Sequence, residues 1–195
     1  MGLDSVELIM EVEEYFGISI PDPEAEKIFT IQKMVDTVAR HLNVTNNSSE
    51  LRDTVFERVN QALLKLGLTD TPVKLIDCIS KYLSPENEEA WKAFKNELQL
   101  DVPKPEVIGR GSKKIINKIK FAISWTPVYD WLSINGEQFV AAICANNCDE
   151  LINREHIKST YEIYIAVTSI TVNKIGVDYY EIAPEKSFTT DLGID

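Results

Sequence analysis

Two serines stand where a helix should begin. Ser5 follows Asp4, and Ser84 precedes Pro85. A side-chain oxygen there accepts one of the free N–H groups of the first turn, and a carboxylate also meets the positive end of the helix dipole. Proline suits the first helical position, so Ser84 reads as an N-cap. After Ser5 come Glu7, Glu11, Glu13 and Glu14. Such a run is a solvated face or a docking surface for a basic partner. Other chemistry is sparse. His41 and His156 lie in helical surroundings without a paired nucleophile, and no glycine loop suited to phosphate is present. No catalytic residue follows, and the chain reads as a non-enzyme. Cys144 and Cys148 stand at i, i+4 spacing, but two ligands without a nearby histidine make no metal site. With Cys78 they form no even framework, which points to small buried thiols in a reducing cytoplasm.

Composition narrows the class. Among 195 residues, 31 acidic side chains outnumber 20 basic ones, for a net charge of −11. That excludes a nucleic-acid backbone as the natural partner and suits docking on basic surfaces. No apolar stretch is long enough for a bilayer and no signal peptide is visible. The length allows one large domain or two small ones.

The elements that must position these residues read as helices. From Leu3 to Phe16, Val6, Ile9, Met10 and Phe16 recur at helical spacing, with Val12 near the same face, and Gly17 ends the run. Ile18 to Asp22 is an extended connector before Pro23. Short helices are predicted over 23–28 and 31–42, the latter with Met34, Val35 and Val38 inward. Asn43 to Glu50 is polar and turn-rich, a linker whose sequons carry no weight in a reducing compartment. Further helices are predicted over 51–66 and 72–83. Residues 107–130 place Arg110, Lys113, Lys114, Lys118 and Lys120 among isoleucines. This basic amphipathic stretch could touch a membrane, dock on the acidic helix, or pack its isoleucines inward and leave the lysines wet. Residues 157–175 are rich in β-branched side chains, which favours a strand, yet Ile157, Tyr161, Tyr164, Ile165, Thr168, Val172 and Ile175 also fit a helix.

Two stretches carry a family resemblance once the end of the chain is set before its beginning. Ser187 to Asp195 reads S-F-T-T-D-L-G-I-D, and Leu3 to Leu8 reads L-D-S-V-E-L. Together they resemble the D-L-G-x-D-S-L-D-x-V-E-L centre of the acyl carrier proteins. The run F-G-I-S-I-P-D-P-E-A-E-K-I-F-T from Phe16 is similar to the segment that follows it in the family. I-G-V-D-Y-Y-E-I-A-P-E-K-S-F-T-T-D-L-G from Ile175 is similar to the segment that precedes it. The resemblance implies an all-α bundle in which 153–195 complete 1–43, with 157–175 as the long first helix. It also implies a circular permutation, or a domain-swapped homodimer that closes the bundle with a second copy.

The middle of the chain repeats the pattern. Ala90 to Pro105 follows Leu8 to Pro23, so that Pro21 matches Pro103, and Leu132 to Asn135 echoes Phe29 to Gln32. Residues 49–152 then read as a second, degenerate carrier-like unit with the basic stretch inserted at 107–130. Ser84 falls at its modified position but lacks the flanking Asp and Leu.

What the resemblance implies for function is a carrier. In the family a serine hydroxyl takes 4'-phosphopantetheine from coenzyme A through a phosphopantetheinyl transferase, and the arm holds an acyl chain as a thioester. Acyl-transfer and synthase enzymes of fatty-acid, polyketide or lipid synthesis would be the partners, docking on Glu7, Glu11 and Glu14. Two registers compete for the serine. One takes Ser5, flanked by Leu3 and Asp4. The other counts back from Pro21 and reaches Gly2, directly after Asp195 in the family order, and this spacing is the better match. With glycine there, the alternative is a non-modified helical interaction module that keeps the carrier fold.

Overall fold

The computed structural model describes residues 3–105 and 130–194. The basic 107–130 stretch lies outside them but for Asp130, as do Gly2 and Asp195. Within the described residues the chain is all α-helical with two isolated antiparallel bridges. In order come α1 (Leu3–Phe16), α2 (Asp22–Ala25), α3 (Ile31–His41), α4 (Glu50–Lys65), α5 (Glu88–Leu98), α6 (Gly136–Asn146), α7 (Cys148–Leu151) and α8 (Thr160–Ile175). Single 3-10 turns lie at Ile79–Lys81, Trp131–Ser133 and Tyr179–Glu181.

The helix α8 organises the rest. Ser159 caps its start by accepting from Glu162 N–H at 3.3 Å, and Gly176 ends it at φ 70°, a left-handed conformation that glycine adopts without strain. Its β-branched residues are buried on several sides, among them Ile163, Ile165, Val167, Thr171 and Val172. A helix apolar around most of its circumference belongs in a core. α1 and α3 pack on it, and so do α4 and α6. Burial therefore overrides the strand propensity of these residues, at roughly 1.5–3 kcal/mol for each large aliphatic side chain. The aromatic cluster of Trp131 with Trp91, Phe139 and Tyr180, ring centres 5.7, 5.9 and 5.6 Å apart, joins α5 and α6 to the loop after α8.

One backbone pattern occurs twice. Before α3, Thr30 bridges Ser187; before α6, Asn135 bridges Cys78. Phe188 N–H donates to Phe29 O at 3.0 Å and Ile79 N–H to Ile134 O at 3.0 Å. Ile31 N–H donates to Lys186 O, and Gly136 N–H to Asp77 O. Gln32 N–H donates to Pro184 O, and Glu137 N–H to Leu75 O. Lys186 N–H turns back to Ala183 O, and Asp77 N–H to Lys74 O. Thr30 and Asn135 are also the N-caps of α3 and α6, accepting from Lys33 and Gln138 N–H. The pairing therefore sets Asn135 on Thr30, two residues from the register that matches Leu132 with Phe29.

Three further sequence expectations are corrected. Residues 72–83 form no α-helix, only the 3-10 turn at Ile79–Lys81. Asn60 holds Val73 through both its N–H (2.7 Å) and its C=O (3.3 Å), and the Asp77 carboxylate takes the Lys74 N–H. The backbone beyond is spent on Ile134, Gly136 and Glu137, so no helical ladder is left to form. On α1 the buried face is Leu8, Ile9, Val12 and Phe16, while Val6 and Met10 are 41% and 59% exposed. At about 100° per residue, Val6 and Met10 lie roughly 200° around from Leu8 and Val12. Ser84 is not the N-cap of α5. Asn87 is, accepting from Ala90 N–H at 3.1 Å. The 43–50 segment is also pinned: Asn46 Nδ2 donates to Lys158 O, Thr160 N–H donates to Asn46 O, and Thr160 Oγ1 donates to Asn47 Oδ1.

Candidate functional site

The loop that carries D-L-G is folded on itself. Ser187 N–H donates to Asp191 Oδ2 at 2.8 Å, and Thr190 N–H donates to Ser187 Oγ at 3.2 Å. Leu192 N–H returns to Ser187 O, and Ile194 N–H to Phe188 O. The second return needs Gly193 at φ 70°. Phe188, Leu192 and Ile194 are thereby buried in the same apolar cluster as Leu8 and Ile9 of α1.

Of the residues read from the sequence as site residues, Leu3 opens α1, Asp4 is exposed in its first turn, and Ser5 is half-buried one position further on. The carboxylates of α1 divide into two kinds. Glu7 Oε2 and Glu11 Oε1 lie 3.0 and 3.4 Å from Lys174 Nζ, at the end of α8. Hydrogen bonding to Glu7, then to Glu11, raises the Lys174 ammonium above its ordinary pKa. Glu13 accepts the Ile20 N–H at 2.5 Å and so fixes the connector after α1. Glu14 and Asp4 are exposed and have no polar partner among the described residues. Lys174 is the residue that sequence reading missed. Only the packing of α8 on α1 brings it there.

In the second half Gln99 ends α5 at φ 56°, where Gly17 ends α1 at φ 63°. The match of Pro21 to Pro103 sets Gly17 on Gln99, Ser5 on Asn87 and Gly2 on Ser84. α5 therefore starts about one turn later than α1. Ser84 is exposed on a turn ahead of it, its Oγ accepting from Glu86 N–H at 3.3 Å. The positions matching Glu7, Glu11, Glu13 and Glu14 are Glu89, Ala93, Lys95 and Asn96, so α5 keeps one of the four carboxylates and gains a lysine.

The paired thiols Cys144 and Cys148 and the two imidazoles form no nucleophile–base pair among the described residues. Burial, then the neighbouring Cys148, pushes the Cys144 thiol up to about 12, and Cys148 shares a 3.5 Å contact with Tyr15 Oη. Buried thiols of this kind are inert. His41 Nε2 sits 3.1 Å from Glu24 Oε2 without a nucleophile, and His156 is exposed. Among the described residues no cluster of three or more metal-ligating side chains occurs, and no helix is long and apolar enough to cross a membrane. An open polar cleft of about 610 Å³ lies between Tyr15 and residues 149–155, at the opposite end of α1 from Ser5.

Over 40 residues the chain is 64% identical to an acyl carrier protein of Rubrobacter xylanophilus, a match that takes in 20% of this chain and 49% of that protein. Part of the chain is acyl-carrier-like. The chain spans about half the length of that acyl carrier protein. No protein-family model matches the chain, and no solved structure matches it.

A phosphopantetheine arm would need a hydroxyl at the start of α1. In the register that places Gly2 at the serine position there is none, and Ser5 is the half-buried third residue of the helix, three positions after Gly2. The residues in that register do not fit the group.

Proposed function

We propose that this chain is an acyl-carrier-type protein whose parent role is to carry acyl groups as thioesters on a serine-linked 4'-phosphopantetheine arm. Its carrier unit combines 1–43 with 153–195, in permuted order, and 49–152 form a second, degenerate carrier-like unit. The observation that carries this reading is the 40-residue identity to an acyl carrier protein. Two arrangements support the rest. α8 and the Ser187–Ile194 loop pack on α1 and α3, so segments of one chain can close the carrier unit without a second copy. The bridge and its four flanking hydrogen bonds recur with Cys78 and Asn135, as a repeat of the unit requires.

The two units differ in what they could do. Val12 and Met34 line the interior of the first, where the register places Phe94 and Phe139 in the second, ring centres 6.0 Å apart. A flexible methionine can shift to admit an acyl chain, whereas two packed rings resist one. α1 carries acidic charge alone, at Asp4, Glu7, Glu11, Glu13 and Glu14, whereas α5 mixes Glu88, Glu89 and Glu97 with Lys92 and Lys95. Docking on phosphopantetheinyl transferases and acyl-transfer enzymes would therefore fall to α1.

Gly2 favours a second reading for the chain as written: a docking module with the carrier fold and no arm. Intact-mass measurement after incubation with coenzyme A and a broad-specificity transferase separates the two. The expected result is no adduct on this chain and one phosphopantetheine on the Gly2→Ser variant, mapped to position 2. An adduct on Ser5 would make this chain a working carrier and overturn the Gly2 register. Failure of the folded Gly2→Ser variant to accept the arm would count against the carrier reading itself.

A further inference from the structure

We propose that Lys174 is a built-in competitor for the basic residues of a docking partner, so that the chain binds such a partner more weakly than its α1 carboxylates alone would dictate. The inference rests on the reading of α1 as the docking face. One ammonium spans two carboxylates a helical turn apart, Glu7 at 3.0 Å and Glu11 at 3.4 Å. These are two of the three residues that the sequence marks for docking. Glu13 is spent on the Ile20 N–H. A partner approaching α1 therefore meets Asp4 and Glu14 as open carboxylates, with Val6 and Met10 exposed on the same helix.

The lysine is a competitor and not a block. Its ion pairs are partly exposed, at 27% for Lys174 against 44% and 52% for the two glutamates. Pairs this wet are weak and salt-screened. An arginine presents a planar fork that grips a carboxylate at two points, whereas an ammonium binds as a point charge. The partner that displaces Lys174 best is thus an arginine-bearing surface with an apolar centre for Met10. A partner whose cations are lysines gains little from the exchange and is left with Glu14 and Asp4.

The test measures equilibrium binding of a broad-specificity phosphopantetheinyl transferase, without coenzyme A, by fluorescence anisotropy at low salt. Lys174→Gln is expected to tighten binding by about two- to tenfold and to steepen its salt dependence. Lys174→Arg, which keeps the charge, is expected not to tighten it. Adding Glu7→Gln and Glu11→Gln to Lys174→Gln should abolish the gain. Circular dichroism and melting establish that each variant is folded. Equal affinity of the wild-type chain and Lys174→Gln, with Glu14→Gln weakening both, overturns the competitor role while leaving α1 as the docking face. If neither the wild-type chain nor Lys174→Gln binds, the docking reading fails and the competitor role fails with it.

Discussion

A Cβ built on Gly136 would lie 3.0 Å from the Leu75 Cα and 3.0 Å from the Lys74 carbonyl oxygen. Both neighbours are backbone, and Glu137 N–H to Leu75 O holds them in place. Gly136→Ala should therefore destabilise the chain by about 1–3 kcal/mol through overpacking, although alanine is the better helix former. Ile31, at the matching first position of α3, is fully buried. Truncating it to alanine should cost about 2–5 kcal/mol for the opposite reason, a cavity. Urea denaturation followed by tryptophan fluorescence reads both. An unchanged midpoint for Gly136→Ala would mean that the 74–77 loop yields freely.

Glu24 gives the chain an acid-sensitive contact. His41, then Arg40, hold its carboxyl below the ordinary glutamate pKa, with Nε2 at 3.1 Å and the guanidinium at 2.8 Å. A depressed carboxyl contributes stability above its unfolded pKa of about 4.3 and loses it as pH falls through the folded value. The contact ties α2 to the end of α3. Glu24→Gln should lower Tm at pH 6, by an amount equivalent to about 1 kcal/mol or less, and the gap should close under acid. A gap that persists unchanged to pH 3 would assign the loss to packing.

Thiol reactivity should follow burial. Cys144 and Cys148 are buried, and their thiols are pushed up by that burial. Cys78, at the bridge to Asn135, is half-buried. Since the thiolate is the attacking species, a disulfide reagent at pH 8 should modify Cys78 first in the native chain and all three only after denaturation. Fast reaction of Cys148 would show that the α6–α7 corner opens in solution.

The all-helical fold was legible from helix spacing in most stretches, but over 157–175 spacing and propensity disagreed and only the acyl-carrier resemblance pointed to a helix. Ile163, Ile165 and Val167 favour a strand by type, and only their burial against helices on several sides settles the matter. The stretch 72–83 failed for a complementary reason. Its apolar spacing is helical, but its backbone partners lie in 134–137, and no local pattern records a partner that distant. The same holds at the site. The α1 carboxylates can be read directly, whereas the engagement of Glu7 and Glu11 by Lys174 depends on how α8 docks. Val6 and Met10 were misplaced because a run of apolar residues on a short helix fits two faces, and the choice rests with what packs on it.

The start of α5 supplies the sharpest test of the repeat. Asn87 Oδ1 accepts the Ala90 N–H at 3.1 Å, while Ser84 closes a separate turn through Glu86 N–H. An N-cap lost to alanine costs about 0.5–2 kcal/mol. Asn87→Ala should therefore lower stability by that amount. Ser84→Ala removes only an exposed turn contact and should change it by less than about 0.5 kcal/mol. Neither substitution should alter modification by a transferase, because Ser84 stands outside the helix and lacks the flanking Asp and Leu. If the order of the two effects were reversed, α5 would begin a turn earlier, at Ser84, and that serine would return as a candidate attachment point in the second unit.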